Sequence, residues 1–117
     1  LGDRLMNKEE MLAVLKILSN ETRWDILDWL REPGKLNQEQ RLPSAVKDDF
    51  PDGVCVGIIQ GKSGLAQSVI SSYLSSMQKA GLLESRRFGQ WTYYRRNEEK
   101  ITAILEHLGS ALLEGKK

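Results

Sequence analysis

The side chains best equipped for chemistry in this 117-residue chain gather in two stretches. The first is RRFGQWTYYRR, residues 86–96, which sets Arg86, Arg87, Arg95 and Arg96 and four aromatics around Gly89. An arginine fork grips phosphate bidentately and suits narrow grooves of high negative potential. Side chains alternate along a strand, so neighbouring arginines point to opposite faces and all four cannot meet one surface. A charged sheet edge that deters aggregation would use the same residues. The alternation also puts Trp91 and Tyr93 on one face and Tyr94 on the other, a period-two pattern expected of aromatics packed in a core. Phe88, at the turn, is the aromatic expected to stay unburied.

The second stretch holds Gln67, Ser68, Ser71, Ser72 and Ser75. Short polar side chains let a helix lie deep in a major groove, where Gln pairs with adenine edges and Ser with several partners. A solvated polar face is the plainer alternative. Serine is a mediocre helix former, however, so the five serines between 68 and 76 serve stability poorly. Tyr73 is expected to be partly buried. Lys62 and Lys79 are weaker phosphate candidates, equally suited to a solvated surface.

Charge distribution agrees with a localised polyanion contact. The net charge is only +1, yet residues 54–96 carry 6 Lys/Arg against 1 Asp/Glu. Residues 1–53 carry 8 against 11, and residues 97–117 carry 3 against 4. A basic middle between acidic ends is a footprint, not a coat.

Catalysis finds little to work with. There is one His, no convincing acid pair, no Gly-rich phosphate loop, and no grouping of nucleophile, base and oxyanion donors. Ser63-Gly64 reads as a turn. The one cysteine, Cys55, excludes an intrachain disulfide, and a single thiolate cannot build a metal site of three or four ligands. His107 reads as an ordinary surface or interface histidine. Cys55 is either a small packed residue or a redox-active thiol. No metal and no cofactor are expected.

The composition, 40% hydrophobic and 28% charged, is ordinary for a soluble globular domain. No apolar run approaches a membrane span and no signal peptide opens the chain, so a cytoplasmic location without membrane contact is expected. The five residues ahead of Met6 read as non-native.

These side chains need elements to hold them. NKEEMLAVLKILSN spaces Met11, Leu12, Leu15 and Leu18 as one helix. Asn20 caps a second, ETRWDILDWLRE, with Ile26, Leu27 and Leu30 inward and Trp24 and Trp29 at its margins; Pro33-Gly34 should stop it at Glu32. Residues 33–53 contain all three prolines and read as a loop insertion, with a short helix after Pro43. VCVGIIQGKSG begins as a strand and continues as a short helix. LAQSVISSYLSSMQKAG is a helix from about Ser68, whose hydroxyl is expected to cap it, to a stop at Gly81. LLESRR and WTYYRR form a β-hairpin, and residues 97–114 form a final helix capped by Asn97. The expected fold class is mainly α with a small β-hairpin, one domain over residues 1–117.

LKILSNETRWDILDWL resembles the opening of ArsR-type transcriptional regulators, and GLAQSVISSYLSSMQKAGLLESRRFGQWTYYRR resembles their recognition helix and wing. The two stretches cover 49 of 117 residues in the family's order, flanking the insertion. The resemblance implies a winged helix-turn-helix fold with extra terminal helices that dimerise. It implies a homodimeric DNA-binding protein, usually a repressor that leaves promoter DNA when an inducer binds. Its DNA contacts would be Gln67, Ser68, Ser71, Ser72, Ser75 and the four arginines. Its dimer interface would draw on Met11, Leu12, Leu15, Ile101, Ile104, Leu105, Leu108 and Leu112. Cys55 falls where metal-sensing members carry a Cys-Val-Cys pair, but the second position here is Gly57. His107 likewise lacks a metal-binding partner at the family's spacing. Two other readings stay open: a winged-helix protein-interaction module without DNA binding, and a metal- or redox-responsive regulator.

Overall fold

The computed structural model describes residues 6–38 and 42–113. Helix α1 (Lys8–Leu18) starts from a reciprocal cap: Asn7 Oδ1 accepts the Glu10 N–H at 2.7 Å, and Glu10 Oε1 accepts the Asn7 N–H at 3.0 Å. Asn20 caps α2 (Glu21–Trp29) by accepting the Arg23 N–H at 2.9 Å. This helix ends three residues before the expected Glu32. Pro33 does more than stop it, because a fixed φ and a missing N–H also suit the first position of a new helix. The turn α3 (Pro33–Leu36) begins there.

The described residues of the insertion, 33–38 and 42–53, are largely built into short helices. After α3, residues Ser44–Asp49 form α4, as the sequence suggests, and the chain then runs through Phe50 into strand β1 (Val54–Cys55). Helix α5 (Val56–Ser63) and helix α6 (Gln67–Lys79) are joined by a turn through Gly64, at φ 70°. Gly81, at φ 86°, closes the end of α6 in the left-handed conformation that glycine adopts without strain. Strands β2 (Leu83–Phe88) and β3 (Trp91–Arg96) make the hairpin, and α7 (Glu98–Leu113) follows, with Asn97 Oδ1 accepting the Lys100 N–H at 3.1 Å.

One expectation of local structure fails. Ser68 does not cap α6: the helix starts a residue earlier, its N-cap is Ala66, and no side chain closes the end. The hydroxyl therefore lies inside the first turn, beyond reach of the cap position.

The sheet has three strands in the order β1-β3-β2, all antiparallel, so the hairpin gains a short third strand. Register pairs Glu84 with Arg95, Arg86 with Tyr93, Arg87 with Thr92 and Phe88 with Trp91. Gly89, at φ 65°, takes the first place of the two-residue turn.

Three apolar clusters hold these elements. The main one joins Ile26 and Leu30 of α2 to Val54, Ile59, Leu83 and the inner face of α6 (Ile70, Leu74, Met77). A second joins Met11 and Val14 of α1 to Ile101 and Ile104 of α7 around Leu82. The third lies between the insertion and the outer face of the sheet, where Val46 and Phe50 pack on Tyr93, with Cys55 and Phe88 at its margin. Among the described residues, no helix is long and apolar enough to cross a membrane.

Candidate nucleic-acid interface

The inner face of α6 is fixed by burial of Ile70, Leu74 and Met77, which recur at four and three residues. The opposite face must then carry Ser68, Ser71, Ser72 and Ser75, and all four are exposed, as is Gln67. None of these four hydroxyls has a partner among the described residues. Ser76, by contrast, donates to the Tyr73 carbonyl at 2.9 Å. The helix begins without a side-chain cap and without an acid in its first turn. Its leading amides and positive dipole end therefore have no side-chain acceptor at the start of the helix.

Arg23 secures α6 from behind. Its Nε donates to the Ile17 carbonyl at 2.8 Å, at the end of α1, and its guanidinium lies 5.0 Å from the centre of the Tyr73 ring. Asn20 reaches the Tyr73 hydroxyl at 3.5 Å. Tyr73 is half-buried, as the sequence suggests.

The four wing arginines divide sharply. Arg95 donates to Glu84 at 2.6 Å and to the Pro51 carbonyl at 2.9 Å, and its cation lies 4.1 Å from the centre of the Phe50 ring. Arg96 donates to both oxygens of Glu98, at 2.8 and 3.2 Å, and to the Leu27 carbonyl at 3.1 Å. Both are partly buried. Arg86 and Arg87 are exposed. Arg86 donates to the Asp49 carbonyl at 2.9 Å, and its guanidinium lies 5.5 Å from the centre of the Phe50 ring. Among the described residues, Arg87 donates only to the carbonyl of Gly89, at 3.0 Å through Nε, which leaves its outer nitrogens without a partner there. The elements thus bring Gln67, the four serines and Arg87 to exposed positions, and turn Arg95 and Arg96 to the domain's own carbonyls and carboxylates.

The aromatics also divide, and not as expected. Tyr93 is buried, but its neighbour two residues back, Trp91, is 51% exposed. Phe88 is packed: its ring lies 5.7 Å from Tyr93, edge to face, and 6.5 Å from Phe50. The reason is the insertion, which supplies a second apolar layer beneath Phe88 and ends before Trp91. Burial pushes the Tyr93 hydroxyl above its ordinary pKa, with the nearby Cys55 adding to it. Burial alone raises Tyr94.

The dimer candidates fall into two groups. Met11, Ile101 and Ile104 are consumed by the second core cluster of their own chain, because α1 and α7 meet there around Leu82. Leu12, Leu15, Leu105 and Leu112 are exposed, and Leu108 is half-buried. Trp24, 58% exposed, joins the exposed set beside an apolar groove of about 210 Å³ lined by Leu18, Leu27, Leu82 and Leu105. The signal for it was an indole set roughly a third of a helical turn off the Ile26–Leu30 stripe. Lys62 lies 5.4 Å from the Trp29 ring centre, and Lys79 is exposed. His107 is half-buried on α7, and no three His, Cys, Asp or Glu among the described residues could share a metal ion.

The chain is similar to known proteins in sequence and in fold. No family model matches the chain. It is 40% identical over 99 residues, 85% of its own length and 95% of the relative's, to the uncharacterized HTH-type transcriptional regulator YbzH of Bacillus subtilis. It is 33% identical over 87 residues, 74% of this chain and 59% of the relative, to ArsR2 of Halobacterium salinarum, a protein described as an arsenical resistance operon repressor. In fold it matches a homodimeric winged helix-turn-helix DNA-binding domain from Mycobacterium bovis with a TM-score of 0.56 at 23% identity, over all of this chain and 97% of that one. On the order of its elements, the family's two sequence stretches and these relatives, the chain belongs to the ArsR-type winged helix-turn-helix transcriptional regulators.

Proposed function

We propose that the chain works as a homodimeric repressor that binds promoter DNA through α6 and the wing and leaves it on an inducing signal. The observation that carries this reading is the outer face of α6: Gln67 and four exposed serines whose hydroxyls have no partner among the described residues, on a helix without a side-chain N-cap. Gln67, Ser68, Ser71, Ser72 and Ser75 enter the major groove in this reading. Arg87, with Arg86 behind it, takes the phosphate contact, since Arg95 and Arg96 have most of their donors engaged within the domain.

Dimerisation is supported by the apolar residues that one chain leaves in water. Leu105 and Leu112 are 62% and 73% exposed on α7, and Leu12, Leu15 and Trp24 add to them. Scattered single leucines need no partner, but runs of them on two terminal helices do. A two-fold dimer would read a pseudo-palindrome with half-sites about one helical turn apart.

The test is a mobility-shift titration with duplexes selected by the protein from a random pool, repeated at several salt concentrations. A selected palindrome bound with steep salt dependence is the expected result. Failure to select any duplex would instead favour a protein-interaction module.

A further inference from the structure

A cavity of about 440 Å³ opens where the insertion meets the base of the hairpin, and α6 contributes nothing to it. Its walls come from parts of the chain far apart in sequence. Leu30, Arg31 and Pro33 close one side at the junction of α2 and α3, and Pro51 and Asp52 close another. Glu84 and the run from Arg95 to Glu99, which carries β3 into α7, complete it. The size is that of a small-molecule site.

Charge selects the occupant. Three arginines of the lining, Arg31, Arg95 and Arg96, stand against four acids, Asp52, Glu84, Glu98 and Glu99, a net charge of −1. Nearby residues do not reverse the sign. Asp28 pairs with Arg31 at 3.1 Å, Glu32 pairs with Lys35 at 3.4 Å, and Lys47, Asp48 and Asp49 of α4 add a further negative charge. Some of the lining is already engaged. Glu98 gives both carboxylate oxygens to Arg96, whose third nitrogen reaches the Leu27 carbonyl. Arg95 binds Glu84 Oε1 and the Pro51 carbonyl. The groups without a partner among the described residues are of both signs. They are the carboxylates of Asp52 and Glu99 with Glu84 Oε2, and against them Nη2 of Arg95 with Nε and Nη2 of Arg31.

The acids do not converge on one point, since no three His, Cys, Asp or Glu among the described residues could share a metal ion. They suit cationic groups set apart on one molecule, while the arginine nitrogens suit a carboxylate. Leu30, Pro33 and Pro51 offer apolar surface to the methylenes between.

We infer that this cavity is the effector site and that its ligand is a diamino acid, an α-amino acid with a second cationic group. Its carboxylate meets Arg31, and its two cations meet Asp52 and Glu99. The effector role rests on the repressor reading above; the binding site does not. A ligand held between Asp52 and Glu99 draws the insertion toward the first turn of α7. It thereby changes how the wing, whose last residues share that wall, sits against α7.

Isothermal titration calorimetry on the full chain, with L-lysine, L-ornithine and L-arginine as probes, tests the site without DNA. A probe that binds is compared with its analogues lacking the carboxylate or the α-amino group (cadaverine and 6-aminohexanoate for lysine). Both analogues should bind about tenfold more weakly, as should the probe itself to R31A, D52N and E99Q. Asn tolerates the left-handed backbone at position 52, φ 71°, and circular dichroism establishes that each variant keeps its fold. The inference is overturned if none of the three amino acids binds, if an analogue binds as well as its parent, or if all three variants bind as wild type. With the duplex that the chain selects from a random pool, the bound amino acid should weaken DNA affinity in wild type and not in R31A. Unchanged DNA affinity overturns the effector role. A chain that selects no duplex overturns the repressor reading and that role with it, while the binding site stands or falls on the calorimetry.

Discussion

Arginines that look alike in sequence differ most at the level of single residues. Among the described residues, the outer nitrogens of Arg87 have no partner, and Arg95 is bound on three sides by Glu84, the Pro51 carbonyl and the Phe50 ring. Replacing Arg87 by Ala should weaken binding to all duplexes alike, with the salt slope reduced by about one. Replacing Arg95 by Ala should leave that slope nearly unchanged and lower unfolding stability by about 1–2 kcal/mol, measured in urea. Alternation along the strands made it legible that the four could not act together. Which of them were engaged was not, because their partners Asp49 and Pro51 lie 37 and 44 residues away in a segment without a periodic pattern. The tyrosines give a second residue-scale test. Tyr93 and Tyr94 have pKa values raised in the fold, so the folded state favours their neutral form. Their contribution to stability is complete below the ordinary tyrosine value of about 10 and is lost as pH rises above it. Absorbance titration should show two tyrosines ionising late, and Tyr93→Phe should flatten part of the alkaline fall in stability.

Among elements, the helical stripes and the caps at Asn20 and Asn97 were plain in the sequence, and the insertion was not. Asn7, Asn20 and Asn97 each precede an apolar periodic run and each caps a helix. Asn20→Ala should cost about 1 kcal/mol in thermal unfolding, measured by calorimetry. The insertion hid because three prolines and many polar residues read as a loop, while its buried side chains, Val46 and Phe50, are four residues apart in an otherwise polar stretch. Their effect is nonetheless large. They turn the outer face of the wing from a solvent surface into a packed one, which covers Phe88, expected to stay unburied at the turn, and leaves out Trp91, expected from period two to be packed. Phe50→Ala should therefore destabilise by about 3–4 kcal/mol and loosen the hairpin, seen as faster amide exchange in β2 and β3 than in α6.

As a whole, the chain is longer than a compact unit of its size. Its radius of gyration is 15.6 Å, with extents of 54 × 31 × 22 Å. A compact chain of this length has a radius of about 13 Å. The excess fits a helix, α7, whose last turns bury little in their own chain. Leu105→Glu together with Leu12→Glu should yield monomers by sedimentation and reduce affinity for a palindromic duplex far more than for a half-site. The presence of two apolar terminal helices was legible. The share that each chain keeps for itself was not, since helical periodicity marks a stripe without saying who covers it.

Arg23 has a mechanical side. One guanidinium clasps the last carbonyls of α1 and lies against the Tyr73 ring, so the two helices are pinned at a common joint. Any re-angling of α1 against a partner is then geared to the pitch of α6, and the span between two such helices becomes a quantity that a single side chain helps to calibrate.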